Sequence, residues 1–426
     1  MRRENARTGL LPAAVATLAL LAAGCAAAGH STAAQSGRHA GGNRGRTAAP
    51  ATAAVTITPA NGTRDADPSA GITVTATRGR LRTVSVRSGD SAVPGNLSDG
   101  GKVWHSQWAL NVSQDYTVTA SASGSGAVTA TSRFRTLTPG NTFRTEVFEG
   151  YKQTYGVGMP VILTFSQPIT DKAAVERSLQ LTTSTPVVGA WYWDGNQTLD
   201  FRPRDYWPAG TAVNFTGHLN GVQGAPGMYG THTLTQTFDI GASLIAIGNT
   251  RTHHTQIYYN GKLRYNWAIS SGKPGDATPD GSYLTIDKGN PVRMTGPGYS
   301  LLVPWSVRFT FSGDYYHDAY WSVSEQGFEN VSHGCVNLSP AHAKIYYKLA
   351  VPGDPITIVG SPKGGTWDNG WTEWFLSWRQ YLRGSALHEA VMAGPNGSTF
   401  VSPASVPAST ATAPLQTARA NNAAVR

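Results

Sequence analysis

The chain has 426 residues, which is too long for one ordinary domain and suggests two to four domains. Charged residues make up only 14% of it, whereas Gly (48) and Pro (25) are abundant, and this balance favours short strands and turns over long charged helices. The net charge of +9 suits work beside anionic surfaces, but Lys and Arg are scattered rather than clustered, so we expect no nucleic-acid partner.

The amino terminus has the pattern of an export signal. Three arginines precede an apolar run over residues 10–23, which is shorter than a transmembrane helix requires. The small residues before Cys25 resemble a bacterial lipobox, although Ala22 stands where leucine is usual. We expect residues 1–25 to be a lipoprotein signal peptide whose cleavage leaves a lipidated Cys25, with plain secretion or a retained anchor as alternatives.

Residues 26–52 consist mainly of Ala, Gly, Ser, Arg and Thr. Such a segment cannot bury enough apolar surface to offset the entropy of ordering, so it is predicted to be a disordered tether. Together with a lipid anchor, it would hold the protein at the extracellular face of the cell membrane.

Two successive stretches have the pattern of β-sandwiches. Residues 53–140 contain short alternating runs, such as 72–75, separated by Gly, Pro, Asn and Asp. Residues 141–241 repeat that pattern, with Trp191 and Trp193 on one face of a strand. We therefore predict two tandem immunoglobulin-like domains in a chain that is mainly β.

A third globular region is predicted over residues 242–361. Asn260-Gly261 follows an apolar run and is a strong hairpin signal. Ser339 as N-cap and Pro340 in the first turn predict a short helix, and an apolar run at 356–359 predicts another strand.

Two segments follow the third region. Residues 362–384 form a Trp-rich arm that we expect to pack back on a domain, with a substrate platform as the alternative. Residues 385–426 are rich in Ala, Ser, Pro and Thr and are predicted to be a disordered tail. The tryptophans of the arm are Trp367, Trp371, Trp374 and Trp378.

Cysteine is unusually scarce for an exported chain. If Cys25 carries a lipid, Cys335 has no partner for a disulfide. An unpaired cysteine outside the cell is exposed to oxidation, which suggests a chemical task, whereas a buried small hydrophobe is the alternative.

The segment Ser-His-Gly-Cys-Val-Asn, residues 332–337, carries the strongest signal in the sequence. A thiol needs a nearby base to act as a nucleophile, and His317 could supply one if the intervening residues form an excursion between two strands. Gly334 would let a substrate carbonyl approach, and the N–H groups of Gly334 and Cys335 could face a developing oxyanion. For His333 and Asn337, spacing alone leaves both a substrate contact and a structural role open.

This arrangement resembles the L,D-transpeptidase (YkuD-like) catalytic domain, whose signature is a histidine, a spacer and then Ser/Thr-His-Gly-Cys-apolar-Asn. The resemblance extends to residues 278–281, 312–313, 321–322 and 326–327 and to the Trp-rich arm. It is closest to actinobacterial lipoprotein enzymes in which two immunoglobulin-like domains precede the catalytic domain. It therefore covers nearly the whole chain and implies an all-β fold with a short helix.

The resemblance implies a role for each matching position. Cys335 would be the nucleophile and His317 the general base, with the main-chain carbonyl of Asp318 completing the triad although many relatives have serine there. Tyr299 would lie near the oxyanion and the donor peptide. Further family positions that touch the substrate are matched by Ser312, Gly313 and Asn337.

The implied reaction is a two-step acyl transfer without metal or organic cofactor. Cys335 would attack the carbonyl of diaminopimelate in a peptidoglycan tetrapeptide stem and release D-alanine. The side-chain amine of a second stem would then attack the thioester and give a 3→3 cross-link. Carbapenem-type β-lactams are the expected covalent inhibitors.

Several other functions remain open from the sequence. The same residues could hydrolyse the thioester, as an L,D-carboxypeptidase, or attach a protein to peptidoglycan. A non-enzymatic cell-wall binding protein is another class, and a zinc site is a further one. The candidate zinc ligands are His317, His333, Cys335 and His342.

Two other groups of polar residues are predicted to be structural. Adjacent residues on a strand point to opposite faces, so His253 and His254 are expected to have surface or packing roles. The second group, Arg202, Arg204, Asp205 and Tyr206 in the second sandwich, is expected to support the fold.

Overall fold

The computed structural model describes residues 53–124, 126–296 and 298–409. The predicted signal peptide, lipidated Cys25 and tether lie outside the described residues, as do residues 410–426 of the predicted tail. Within the described ranges, no helix is long and apolar enough to cross a lipid bilayer.

The first β-sandwich is built from two antiparallel sheets. Its strands are β1 (Ala54–Thr58), β2 (Thr73–Thr77), β3 (Gly79–Ser88), β4 (Ser91–Ala92), β5 (Gly95–Ser98), β6 (Val103–Ser106), β7 (Asp115–Gly124) and β8 (Ala127–Arg135). One sheet has the order β1-β2-β6-β5 and the other β4-β3-β7-β8. Because side chains alternate along β7, Tyr116, Val118 and Ala120 all enter the core between the sheets.

The second β-sandwich has the sheet orders β10-β12-β15-β14 and β11-β19-β16-β13. Trp191 and Trp193 are both buried on one face of β14, as predicted. A small sheet, β17-β18-β9, lies beside them. The elements are β9 (Asn141–Phe143), β10 (Thr145–Val147), β11 (Thr154–Tyr155), β12 (Val161–Phe165), α1 (Lys172–Arg177), β13 (Leu179–Thr183), β14 (Val187–Asp194), β15 (Thr198–Pro203), β16 (Ala212–Gly217), β17 (Gln223–Ala225), β18 (Met228–Gly230) and β19 (Leu234–Ile240).

The third region has a sheet ordered β22-β21-β20-β30-β23, a second sheet ordered β24-β27-β28-β29, and the hairpin β25-β26. Its core is a cluster of apolar side chains that includes Ile257, Tyr316 and Val336. The elements are β20 (Leu244–Asn249), β21 (His254–Tyr259), β22 (Lys262–Ala268), β23 (Gly281–Leu284), β24 (Asp287–Gly289), β25 (Val292–Gly296), β26 (Tyr299–Val303), β27 (Ser306–Arg308), β28 (Tyr315–Asp318), β29 (Val336–Leu338), α2 (Pro340–Leu349) and β30 (Pro355–Val359).

Local signals account for several of these elements. Asn260 and Gly261 both have positive φ and connect β21 to β22, as the hairpin signal predicts. The side chain of Ser339 accepts a hydrogen bond from the His342 N–H and caps α2, which begins at Pro340. The expectation that His253 shares a strand with His254 is wrong, because His253 lies in the turn before β21 with φ of 53°.

The Trp-rich arm packs on the second sandwich and is part of its core. Trp371 and Trp374 are buried in the same apolar cluster as Trp191. The arm then forms the short helix α3 (Trp378–Arg383). The buried guanidinium of Arg202 lies 4.3 Å from the ring centres of both Trp374 and Tyr381, so this arginine joins the sandwich to the arm.

The prediction that residues 385–426 form a disordered tail is wrong for its first part. The chain forms β31 (Ala390–Gly394) and β32 (Gly397–Val401), and β31 pairs with β14 of the second sandwich. Composition did not indicate these strands because they are stabilised by the pairing of β31 with the edge of β14, which lies far away in the sequence.

Candidate active site

Parallel pairing of β28 and β29 brings the predicted catalytic histidine and cysteine to one place. His317 on β28 is opposite Asn337 on β29, and Cys335 immediately precedes β29. Because side chains alternate along a strand, Cys335 lies on the same side as Asn337 and therefore beside His317. Residues 319–335 form the long return that a parallel pair requires, and both side chains line the same cavity.

His317 is held as a neutral imidazole. Its Nδ1 lies 2.7 Å from the carbonyl oxygen of Asp318, so Nδ1 carries the proton and donates it to that carbonyl, which leaves Nε2 as an acceptor. The side chain is only 3% exposed, and this burial lowers the pKa of His317 to about 4.

Cys335 is held as a protonated thiol. Its Sγ donates a hydrogen bond to the carbonyl oxygen of Gly313 at 3.7 Å. Burial first, and the nearby charge of Asp314 second, raise the pKa of Cys335 to about 12. The resting cysteine and histidine are therefore both uncharged at neutral pH.

The turn before the cysteine requires glycine. Gly334 has φ of 124°, and a Cβ there would lie 2.3 Å from Oδ1 of Asp314. Its carbonyl accepts a 2.6 Å hydrogen bond from Thr278 Oγ1, while Ser332 Oγ donates to the carbonyl of Cys335. The Gly334 N–H donates to Ser332 Oγ at 3.2 Å, so the prediction that it faces an oxyanion is wrong for this conformation.

Tyr299 and His333 lie beside the cysteine. Their ring centres are 5.1 Å apart, and both residues border the two cavities that meet at Cys335. Lys273 Nζ lies 2.9 Å from His333 Nε2, so it donates to that nitrogen and leaves the proton of His333 on Nδ1. Burial raises the pKa of Tyr299, and the thiol of Cys335 adds to the shift where it is ionised.

Asn337 and Ser312, two of the residues expected to touch the substrate, lie in different surroundings. Asn337 is 2% exposed and its Nδ2 donates to Ser322 Oγ at 2.8 Å, so its side chain holds the loop that follows β28. Ser312 is exposed and lines a cavity beside Gly313. Its backbone N–H donates to Asn369 Oδ1 of the arm at 2.7 Å.

Two cavities meet at Cys335 and share the lining residues Tyr299 and His333. One, of about 390 Å³, is mostly apolar and contains His317 and Trp321. The other, of about 400 Å³, is polar and contains Arg293, Asp314 and Lys363. A nucleophile that lines two cavities can meet an acyl donor in one and an acceptor in the other.

The geometry does not favour a zinc site. The ring of His342 stacks on Trp267 at 4.8 Å instead of turning toward Cys335. Throughout the part of the chain that the structure describes, no group of three or more His, Cys, Asp and Glu side chains is placed to hold a metal ion.

Sequence reasoning missed several residues that shape the site. Asp314 directly follows Ser312 and Gly313, and Thr278 begins the segment 278–281 that resembles the family, so proximity to a motif was the available signal. Asn369 had no local signal, since its contact to Ser312 spans 57 positions of the chain.

Comparison with known proteins agrees with this architecture. Residues 243–358 match the family described as the L,D-transpeptidase catalytic domain, and residues 63–223 match a bacterial Ig domain. L,D-transpeptidase 2 of Mycobacterium tuberculosis is 33% identical over 330 residues, which are 74% of this chain and 80% of that relative. L,D-transpeptidase 5 of the same species is 32% identical over 352 residues, covering 78% of this chain and 77% of the relative.

The chain therefore belongs to the L,D-transpeptidase family, with bacterial Ig-type sequence preceding a YkuD catalytic domain. Among solved structures, an L,D-transpeptidase in complex with imipenem is 35% identical, covers 52% of this chain and 100% of that chain, and has a TM-score of 0.43.

Proposed function

We propose that this protein forms 3→3 cross-links between diaminopimelate residues of peptidoglycan stems through a thioester on Cys335. The main support is the pairing of a buried, neutral His317, whose Nδ1 is fixed by the Asp318 carbonyl, with Cys335 at the junction of two cavities. The sequence pattern at residues 1–52 adds the proposal that a lipid on Cys25 anchors the enzyme at the outer face of the membrane, where it acts in the wall.

The first step is acylation. Cys335 Sγ attacks the carbonyl carbon of diaminopimelate in the donor stem while His317 Nε2 accepts the thiol proton. The resting thiol hydrogen-bonds to Gly313, so it first rotates from that carbonyl toward the imidazole. His317 then returns the proton to the leaving amine, the C–N bond breaks, and D-alanine departs.

The second step releases the enzyme. The side-chain amine of a second stem attacks the thioester, His317 accepts a proton from that amine, and the C–S bond breaks. The departing sulfur takes the proton back, which restores the neutral pair. Because both groups start uncharged, proton transfer accompanies the attack of sulfur rather than preceding it.

The decisive experiment uses a purified disaccharide-tetrapeptide as both donor and acceptor. Wild-type protein is expected to give 3→3 dimers and free D-alanine by mass spectrometry, whereas Cys335→Ala gives neither. Tripeptide without dimers would identify a carboxypeptidase, and stem-to-protein conjugates would identify a protein-attaching enzyme. No product from a folded wild type would favour the non-enzymatic wall-binding function.

The pH dependence provides a second readout. Since His317 must be unprotonated to accept the thiol proton, acylation should lose rate only below pH about 4. A loss of acylation rate near neutral pH, at which the protein remains folded, would contradict the neutral resting pair.

A carbapenem provides a further test. We expect it, because its strained carbonyl mimics the acyl donor, to add covalently to wild type and not to Cys335→Ala.

A further inference from the structure

The Trp-rich arm contacts the catalytic region at a loop beside the nucleophile. Asn369 of the arm makes two hydrogen bonds to one residue of that loop. Its Oδ1 accepts from the Ser312 backbone N–H at 2.7 Å, and its Nδ2 donates to Ser312 Oγ at 3.0 Å. Two bonds from one planar amide fix both the position and the orientation of Ser312.

The loop that carries Ser312 also determines the surroundings of the thiol. The next residue, Gly313, supplies the carbonyl that accepts the hydrogen bond from Cys335 Sγ. The residue after it, Asp314, accepts a hydrogen bond from Ser312 Oγ at 3.3 Å and raises the pKa of Cys335 by its charge. Asp314 also lies so close to Gly334 that no side chain would fit there. A displacement of this loop therefore changes both the hydrogen bond that the thiol makes and the charge that lies beside it.

Asn369 is fixed by its neighbours in the arm. Trp371, two positions further along, is buried in the core of the second sandwich and packs edge-on against Phe148 at 5.0 Å. Trp374 Nε1 donates to the carbonyl of Gly158 at 2.8 Å. Asn369 itself is only partly buried, so truncating its side chain removes the two hydrogen bonds without opening the core.

We propose that Asn369 is a positioning residue for acyl transfer: it fixes the loop 312–314, whose Gly313 carbonyl holds the resting thiol of Cys335. It touches no reacting atom and acts through Ser312. Through this amide, the second sandwich and the arm contribute to the geometry around Cys335. The proposal rests on the proposed function for its effect on acyl transfer. The effect of Asn369 on the reactivity of the Cys335 thiol can be measured without that reaction.

Asn369→Ala in the whole protein tests the proposal. Displacement of the loop is expected to lower kcat with the tetrapeptide about 10- to 100-fold, with KM changed less than about three-fold, because the reacting groups and not the binding surface are misplaced. A displaced loop should also admit water to the thiol, which lowers its pKa. The pH midpoint for alkylation of Cys335 by iodoacetamide should then fall by about one unit.

Two further variants serve as controls. Asp368→Ala removes an exposed side chain from the neighbouring position and should leave kcat, the alkylation midpoint and the thermal midpoint unchanged. Asn369→Asp keeps an acceptor for the Ser312 N–H, and Ser312 Oγ can turn to donate to it, so this variant should recover most of the lost kcat.

Three results would overturn the proposal. One is an Asn369→Ala variant with kcat within about two-fold of wild type and the same alkylation midpoint, since a misplaced loop must affect the thiol. Another is an equal loss in Asp368→Ala, and the third is a loss that follows the unfolded fraction measured by circular dichroism. If wild type makes no dimers, the proposed function fails, whereas the alkylation midpoints still decide whether Asn369 positions the loop.

Discussion

The first β-sandwich completes its hydrophobic core with its own residues, whereas the second shares its core with the rest of the enzyme. All buried members of the first core lie between Ala66 and Phe134. The second core also includes Leu284 of β23 and the arm residues Trp371 and Trp374. The two sandwiches are similar in sequence pattern, but only the second is continuous with the catalytic region.

Backbone contacts show the same difference. The N–H groups of Gly156 and Gly158 in the second sandwich donate to the carbonyls of Pro352 and Gly353 in the catalytic region, at 2.8 and 2.9 Å. A Cβ on Gly156 would lie 2.2 Å from the Asp354 backbone, so glycine permits this close approach. The second sandwich is therefore expected to act as a structural part of the catalytic unit, and the first as a spacer.

The contacts between the two sandwiches include a ring stack and a hydrogen bond. Trp108 stacks on His218 with ring centres 4.0 Å apart. The Val112 N–H donates to Asn220 Oδ1 at 3.1 Å. Contacts of this kind set an orientation between neighbouring domains without merging their cores.

The largest difference between the sandwiches is expected from matched tryptophan truncations. Trp374→Ala should lower the free energy of unfolding of the catalytic unit by about 3–5 kcal/mol, since it removes a buried ring and the hydrogen bond to Gly158. Trp104→Ala, at a similarly buried ring of the first core, should destabilise only the first sandwich. Urea unfolding, followed together with dimer formation, measures both. Equal loss of activity in the two variants would contradict the separation of the cores.

An intermediate effect is expected from the buried carboxyl groups at the contact between the second sandwich and the arm. Burial raises the pKa of Glu149 to about 8 and that of Glu373 to about 7, and it also raises the pKa of Asp200. Arg202 is the cation that opposes this trend at Glu373. Because the folded state binds these protons more tightly than the unfolded chain, the stabilisation that these three carboxyl groups contribute is greatest below pH about 4.5 and is lost as the pH rises toward about 8.

Each carboxyl group contributes up to about 1.4 kcal/mol of lost stability per pH unit within its window. Glu149→Gln should therefore reduce the loss of unfolding free energy between pH 5.5 and 7.5, measured by urea titration. Glu146→Gln, at an exposed position on β10, should leave the slope unchanged. An identical change of unfolding free energy in wild type and Glu149→Gln over this range would rule out Glu149 as a cause.

The smallest effect is expected from removing the first sandwich altogether. A chain that begins at Pro139 retains the second core, the arm and both cavities. Its kcat/KM with a soluble tetrapeptide should stay within about two-fold of the full chain, because the first sandwich lines neither cavity at Cys335 and adds no residue to the core of the catalytic region. A ten-fold loss would mean that the first sandwich does more than hold the catalytic unit away from the membrane.

The sequence by itself determined the features that depend on local chemistry. Alternating apolar residues set the strands, Asn260-Gly261 set a hairpin, and Ser339 with Pro340 set the start of α2. The motif around Cys335 together with His317 identified the candidate reactive pair, because such chemistry requires particular residue types at limited spacing. These features depend on the types and spacing of a few residues, so they can be predicted from the sequence alone.

Only the tertiary structure decided the features that depend on distant partners. Strands β31 and β32 form because β14 leaves an edge open to β31, and the Gly334 N–H is engaged because Ser332 Oγ turns toward it. The contact of Asn369 with Ser312 and the shared core of the second sandwich likewise join segments far apart in the chain. Burial and hydrogen-bond satisfaction are properties of the folded surroundings, and neither is encoded in any single segment of the sequence.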